Sequence, residues 1–140
     1  MPIAAIDYGR RWLGLAVADP AAALGPRPVG AIERKSLRRD LEAVRMRMLE
    51  LEVTHVIVGL PLNMDGSIGP AARAASAFAE SLREATGVTV ELFDERLSSY
   101  EAEQRMRALP KAKRGRHSID AFAASVILES WLNSSAARPE

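Results

Sequence analysis

The chain has 140 residues, a formal net charge of +1, no cysteine and two histidines. This length is enough for one domain with its own hydrophobic core, and the absence of cysteine excludes disulfides and thiolate zinc sites and fits a cytoplasmic protein. With so few histidines, any metal ion would have to be held by carboxylates, which favours Mg²⁺ or Mn²⁺.

The first strand is predicted at residues 3–6, an apolar run typical of a strand buried on both faces. It ends at Asp7, and a second apolar run at residues 13–17 predicts a β-hairpin. The turn between the two strands contains Gly9, Arg10 and Arg11. A carboxylate at the end of a buried strand costs free energy unless a cation or hydrogen-bond donors compensate it. Asp7 is therefore either a turn residue with local hydrogen bonds or a metal ligand or catalytic acid.

The middle of the chain alternates between helices and strands. A loop is expected at residues 20–28 and a short third strand at residues 29–32, followed by a helix that Ser36 can cap. Residues 54–60 predict the next buried strand, and its end, from Gly59 to Gly66, is rich in turn-forming residues. This loop could bind a phosphate through backbone N–H groups or could simply stabilise its own turn.

A helix is expected after Pro70, with Gly87 as its C-cap. A strand at residues 88–93 follows, closed by Asp94, Glu95 and Arg96. Arg96 could pair with Asp94 as a structural ion pair or contact a substrate. Ser98 and Glu101 have the spacing of a capping box and predict a helix to about residue 109.

The last part of the chain contains a basic loop at residues 110–117 and a final helix from Ser118 to about residue 132. The cations of the loop are Lys111, Lys113, Arg114 and Arg116. Residues 134–140 are expected to form a frayed tail, so the domain covers residues 1–133. No stretch is apolar enough to predict a membrane span, and the start of the chain lacks a signal-peptide pattern.

This order predicts an α/β fold with a mixed five-stranded sheet. The first three strands would form an antiparallel meander, and the last two would lie parallel to a central first strand through right-handed crossovers. Ligands of such sheets bind outside the carboxyl ends of the parallel strands. Asp7, the loop after Gly59 and the Asp94-Glu95-Arg96 segment all lie at those ends.

Asp120 is a further candidate. It lies in the first turn of the last helix, where an acid also interacts favourably with the helix dipole. Because this helix is largely apolar, it should pack on the sheet and could bring Asp120 beside Asp7. Asp7, Glu95 and Asp120 would then form a carboxylate cluster able to hold one or two Mg²⁺ ions.

The chain resembles the YqgF/RuvX family of the RNase H-like superfamily. The resemblance covers nearly the whole chain and rests on four segments: Asp7-Tyr8-Gly9 with Gly14-Leu15-Ala16, Gly59-Leu60-Pro61-Leu62-Asn63-Met64-Asp65-Gly66, Asp94-Glu95-Arg96-Leu97-Ser98, and Ile119-Asp120 with Ala123-Ala124. Members are regarded as Holliday-junction resolvase-like nucleases and as nucleases that mature the 5′ end of 16S rRNA. The resemblance therefore implies an RNase H-like fold with helices on both faces of the sheet.

The same resemblance implies catalytic and metal-binding roles for Asp7, Glu95 and Asp120, with Mg²⁺ or Mn²⁺ as the cofactor. Two ions would promote phosphodiester hydrolysis in such a site. Three residues after Asp7 depart from the usual residues of the family, namely Arg10, Arg11 and Trp12. Their bulk beside the site affects which substrate is bound rather than the hydrolysis itself.

The expected partner is structured nucleic acid, either precursor rRNA or a four-way DNA junction. Arg10, Arg11 and the basic loop, with Lys111, Lys113, Arg114 and Arg116, are the candidate contacts to its phosphates. A resolvase that cuts two symmetric strands would require a homodimer. Two other classes stay open: a nucleic-acid-binding module without activity, and an actin-like nucleotide-binding domain, which would need a second domain that this chain lacks.

Overall fold

A computed structural model describes residues 1–108 and 118–134, and for Ser118 only the backbone. The strands are β1 (Ile3–Tyr8), β2 (Trp12–Asp19), β3 (Leu24–Glu33), β4 (His55–Leu60) and β5 (Thr89–Asp94). The helices are α1 (Leu37–Glu50), α2 (Pro70–Thr86), α3 (Tyr100–Arg107) and α4 (Ser118–Leu132). None of these helices combines the length and apolar character needed to cross a membrane.

The five strands form one mixed sheet in the order β3-β2-β1-β4-β5. β1 pairs antiparallel with β2 and parallel with β4, β2 pairs antiparallel with β3, and β4 pairs parallel with β5. β1 is therefore central, and Ala4, Ala5 and Ile6 are fully buried. This arrangement confirms the predicted meander with two added parallel strands.

Helices cover both faces of the sheet, as expected. On one face, Val44 and Met48 of α1 and Phe78 and Leu82 of α2 join a core that includes Ile6. On the other face, residues of α4 such as Ala124 and Ile127 pack with Ala5, Ala16 and Ile57. Because side chains alternate along a strand, Asp7 lies on the same face as Ala5, which is the face that α4 covers.

β3 begins at Leu24 and is therefore longer than predicted. The prediction of a loop at residues 20–28 is wrong for residues 24–28. The pairs Val17–Arg27 and Ala16–Pro28 show that this segment is part of the ladder. Prolines are tolerated there because β3 is an edge strand, whose outward N–H positions need no partner in the sheet. Gly30, with a φ of +106°, lies at the β-bulge that shifts the register of the pairing.

The predicted helix boundaries are confirmed at two ends and wrong at a third. Ser36 accepts a hydrogen bond from the N–H of Arg39 (3.3 Å), and Gly87 ends α2 with a φ of +73°. The cap of α3 is Ser99 and not Ser98, because the N–H of Ser98 closes the preceding turn by donating to the Glu95 carbonyl (3.0 Å).

Candidate active site

Asp7 occupies the last but one position of β1, on the face toward α4 and opposite Gly14 of β2. The hairpin turn after it is tight, since the N–H of Gly9 donates to the carbonyls of both Asp7 (3.1 Å) and Trp12 (3.0 Å). The backbone of Asp7 is therefore fixed by the central strand on one side and by this turn on the other.

Gly14 allows the first turn of α4 to reach the sheet. A Cβ atom at this position would lie 1.9 Å from the carbonyl oxygen of Asp120 and 3.0 Å from the nitrogen of Ala121. Only a residue without a side chain fits such a backbone contact. Because Gly14 is paired with Asp7, the same contact brings Asp120 beside Asp7, as the sequence predicted.

Glu95 begins a short 3₁₀ turn (Glu95–Leu97) directly after β5. Since β4 lies between β5 and β1, its side chain must extend over β4 to approach Asp7. Gly59 of β4 leaves the space for it, because a Cβ atom there would lie 3.0 Å from Oε1 of Glu95 and 2.7 Å from Cδ1 of Ile127. The carboxyl groups of Glu95 and Asp7 are then joined by a side-chain hydrogen bond.

The closeness of these acids changes their protonation. Burial, followed by the charge of Asp120, raises the pKa of Asp7, although the hydrogen bond from Glu95 acts against this rise. Burial, the charge of Asp7 and the hydrogen bond to Asp7 raise the pKa of Glu95 from 4.5 to about 7. At pH values below about 7, the protonated carboxyl group of Glu95 can therefore donate its hydrogen bond to the carboxyl group of Asp7.

The donor set consists of carboxylates, which suits a hard divalent cation such as Mg²⁺ or Mn²⁺. The interactions run pairwise through Asp7, which shares a hydrogen bond with Glu95 and is close enough to Asp120 for its charge to act on Asp7. Within residues 1–108 and 118–134, no three His, Asp or Glu side chains are already arranged to hold an ion together. The residues fit the cation chemically, and its ligation by Glu95 requires release of the shared proton.

Comparison with known proteins agrees with this architecture. A family model described as "RuvX: Holliday junction resolvase" matches residues 1–134. The chain belongs to the RuvX family. A relative from Anaeromyxobacter sp. (strain K), named "Putative pre-16S rRNA nuclease", is 50% identical over 129 residues, which are 91% of this chain and 93% of the relative.

A second relative, from Halothermothrix orenii, has the same name and is 40% identical, with 95% of each chain covered. Among solved structures, T. thermophilus RuvC in complex with a Holliday junction substrate covers 93% of this chain and 92% of its own, with a TM-score of 0.65 and 18% identity. At that identity the likeness shows the fold alone. It confirms the RNase H-like fold class.

The predicted cations fall into two groups. Arg10 and Arg11 are exposed in the hairpin turn after Asp7, and Arg11 also pairs with Glu33 (3.2 Å). Lys111, Lys113, Arg114 and Arg116 lie outside the residues that the structure describes, as do residues 135–140 of the predicted tail.

Arg96 forms the ion pair with Asp94 that the sequence suggested, at 2.8 Å. It also donates to the carbonyl of Met64 (3.3 Å), so it joins the end of β5 to the loop after β4. That loop stabilises its own turn: the N–H of Asn63 donates to Ser67 (3.0 Å) and the N–H of Gly66 to Asn63 (2.8 Å). These N–H groups are already used within the loop.

Sequence reasoning missed the anchor of the hairpin turn in this RuvX-family chain. Arg34 donates to the carbonyls of Gly9 (3.0 Å) and Arg10 (3.2 Å), and its guanidinium lies 4.3 Å from the centre of the Tyr8 ring. Asp40, which is only 4% exposed, lies 3.9 Å from Arg34 and also accepts from the N–H of Lys35 (2.8 Å). The sequence signal that could have indicated this anchor was an acid, Asp40, on the apolar side of α1, because a buried acid normally has a partner.

Proposed function

We propose that this RuvX-family chain is a nuclease that hydrolyses phosphodiester bonds with a divalent metal at Asp7, Glu95 and Asp120. The observation that carries the proposal is that Asp7 interacts both with Glu95 and with Asp120, which come from separate parts of the chain, at the carboxyl end of β1. Two glycines, Gly14 and Gly59, make these interactions possible. Half-buried carboxyl groups with a raised pKa, here those of Asp7 and Glu95, are typical of a functional site.

Asp7 has the central role in this proposal. It lies on the central strand and its carboxyl group interacts with those of both other acids, so it would be the ligand around which a bound cation is oriented. Mg²⁺ or Mn²⁺ would supply Lewis acidity at the scissile phosphate and neutralise the charge of the reacting groups. Glu95 would lose its proton when the site is loaded, so cation binding should strengthen as the pH rises.

The substrate proposed is precursor 16S rRNA, cut at its 5′ end. The relatives that are 50% and 40% identical over nearly their whole length have names that refer to this RNA. A second candidate is the four-way DNA junction, which the family description favours. Arg10, Arg11 and the basic loop at residues 110–117 would contact phosphates of either substrate without reading bases. A junction-cutting enzyme would act as a homodimer, and the absence of cysteine fits action in the cytoplasm.

The proposal is tested by the change Asp7→Asn. Matched precursor rRNA and junction substrates are incubated with Mg²⁺, with Mn²⁺ and with EDTA, and the products are separated on gels. The wild type should cut one of the two substrates, and it should do so only when Mg²⁺ or Mn²⁺ is present. Asp7→Asn should remove cleavage and leave nucleic-acid affinity unchanged or higher, because it takes a negative charge from a phosphate-binding surface.

Asp19→Asn is the matched control. Asp19 ends β2 beside the start of β1, at the other end of the strands from Asp7, and it pairs with the N-terminal amine. This variant should cut as the wild type does. Undiminished cleavage by Asp7→Asn would contradict the proposed site, and wild-type cleavage in EDTA would contradict the metal.

A further inference from the structure

Large apolar side chains are exposed on the segments that carry or adjoin the candidate acids at the carboxyl end of the sheet. Five of them, here called the apolar rim, are Met64 (89% exposed), Ile68 (57%), Leu97 (63%), Tyr100 (74%) and Ile119 (83%). Each normally stabilises a fold only when it is removed from water, so this exposure contributes nothing to the core. Exposed apolar groups that collect at one place mark a binding surface.

The rim residues emerge from the same segments as the acids. Met64 and Ile68 belong to the loop after β4, the strand that lies between Asp7 and Glu95. Leu97 ends the 3₁₀ turn that begins at Glu95, and Tyr100 begins the next helix. Ile119 directly precedes Asp120.

The loop that carries Met64 is stabilised by hydrogen bonds within the loop and to the segment after β5. The side chain of Asn63 donates to Ser67 (2.9 Å), and the N–H of Ser67 donates to Asp65 (2.9 Å). Arg96 then binds the carbonyl of Met64 from the segment that carries Glu95. The backbone of Met64 is therefore tied to the segment that carries Glu95, and its side chain is exposed to solvent.

We propose that the apolar rim binds the bases of unpaired nucleotides on either side of the scissile phosphate. This rests on the proposed nuclease function and narrows its substrate to a nucleic acid that is single-stranded at the cut. A duplex presents sugars and phosphates to a protein surface, whereas unpaired bases offer flat apolar faces to aromatic and aliphatic side chains. The ring of Tyr100 would stack on one base, and Met64 would pack against another.

The position of the rim argues for the substrate as its occupant. A protein partner or a second copy of the chain bound to these segments would lie over the end of the sheet that carries the acids. A nucleic acid would occupy both at once: its phosphates would meet the acids, their cation, and Arg10 and Arg11, while its bases would meet the apolar side chains.

The experiment compares two forms of one RNA strand. A short single strand of mixed sequence, labelled with fluorescein, and the same strand paired with its complement are titrated in EDTA with the full-length protein, and anisotropy gives the affinities. The wild type should bind the single strand more tightly. Tyr100→Ala and Met64→Ala should each weaken single-strand binding about tenfold, as expected for the loss of one base contact, and change duplex binding less than about twofold.

Tyr100→Phe keeps the aromatic ring and should retain single-strand affinity. Leu49→Ala is the matched control, because Leu49 is 61% exposed near the end of α1 that leads to the start of β4, away from the acids. It should leave both affinities unchanged. All of these side chains are exposed, so the thermal unfolding midpoints should match the wild type.

Three results would overturn the proposal: unchanged single-strand binding by Tyr100→Ala and Met64→Ala, equal losses on single strand and duplex, or a wild-type dimer in sedimentation that Tyr100→Ala converts to monomer. The last result would assign the rim to a second copy of the chain. If the wild-type protein binds single strands through the apolar rim but cuts no substrate, the proposed nuclease function is refuted. The proposal that the rim binds bases would then still hold.

Discussion

At the residue scale, two glycines determine whether the acids can meet. Gly14 admits the backbone of α4, and Gly59 admits the side chain of Glu95. The change Gly59→Ala is the more informative, because its Cβ would press on the ends of two side chains, Ile127 and Glu95, which can move. We expect this variant to fold, to lose about 1–3 kcal/mol of stability and to cut its substrate at least tenfold more slowly, because Glu95 is displaced.

Gly25→Ala is the control for that change. A Cβ atom at Gly25 would meet nothing within 4 Å, so both stability and cleavage should stay at the wild-type level. Chemical denaturation and initial cleavage rates give the two quantities. Wild-type cleavage by Gly59→Ala would show that Glu95 does not need the space above β4.

The protonation of Glu95 gives a second prediction at this scale. Its pKa is about 7 in the folded protein and 4.5 as the ordinary value, so the folded state binds more protons between these limits. The stability of the metal-free protein should therefore fall as the pH rises from 4.5 to above 7. Glu95→Gln removes this loss and should be more stable than the wild type at pH 8 by about 1–2 kcal/mol, a value that allows for the partial exposure of the carboxyl group.

Thermal unfolding in EDTA at several pH values measures this difference. Well below pH 4.5 the two proteins should unfold at similar temperatures, because the wild-type carboxyl group is then protonated in both the folded and the unfolded state. Mg²⁺ should raise the wild-type midpoint more at pH 8 than at pH 5. A constant gap between Glu95→Gln and wild type across this range would exclude the raised pKa.

At the element scale, the basic loop at residues 110–117 leads into the helix that carries Asp120. Its cations repel one another unless phosphates or counterions neutralise them. Replacing Lys113, Arg114 and Arg116 together with Ala should weaken binding to all sequences and reduce the salt dependence by about 0.9 in the log–log slope for each lost duplex contact. The cleavage rate at saturating substrate should fall much less.

The matched control replaces three arginines on α1, namely Arg38, Arg39 and Arg45, and so removes the same charge elsewhere. Arg38 and Arg39 are exposed, and Arg45 pairs with Glu42 on the helix surface. Binding isotherms at several salt concentrations separate the two variants. If the loop variant keeps the wild-type affinity and slope, the loop is ordinary solvated surface.

Elements with strong local patterns could be predicted from sequence, and elements set by pairing could not. Ser36 and Gly87 act on backbone groups within their own helix, so their roles are visible in the sequence. The first half of β3 exists because β2 pairs with it, and residues 24–28 contain prolines and a glycine that locally favour a loop. The shift from Ser98 to Ser99 at α3 has the same origin, since the turn of Glu95 uses the N–H of Ser98.

At the scale of the whole molecule, sheet topology explains why the three acids could be named from sequence. Parallel strands end at one edge, so Asp7 and Glu95 had to lie near each other once β1, β4 and β5 were ordered. The spaces at Gly14 and Gly59, the raised pKa of Glu95 and the anchoring of the hairpin turn by Arg34 depend on contacts between distant segments. No local pattern encodes those distances.

The chain order of the acids also affects when activity can begin during synthesis. Asp120 is added to the growing polypeptide after all five strands, so a nascent chain with a complete sheet still lacks one of the three acids. Domains generally fold as units, and α4 can dock on Gly14 only after it has been synthesised and has left the ribosome. A protein proposed to cut ribosomal RNA would thus stay harmless to the ribosome that is making it until nearly the whole domain has been translated.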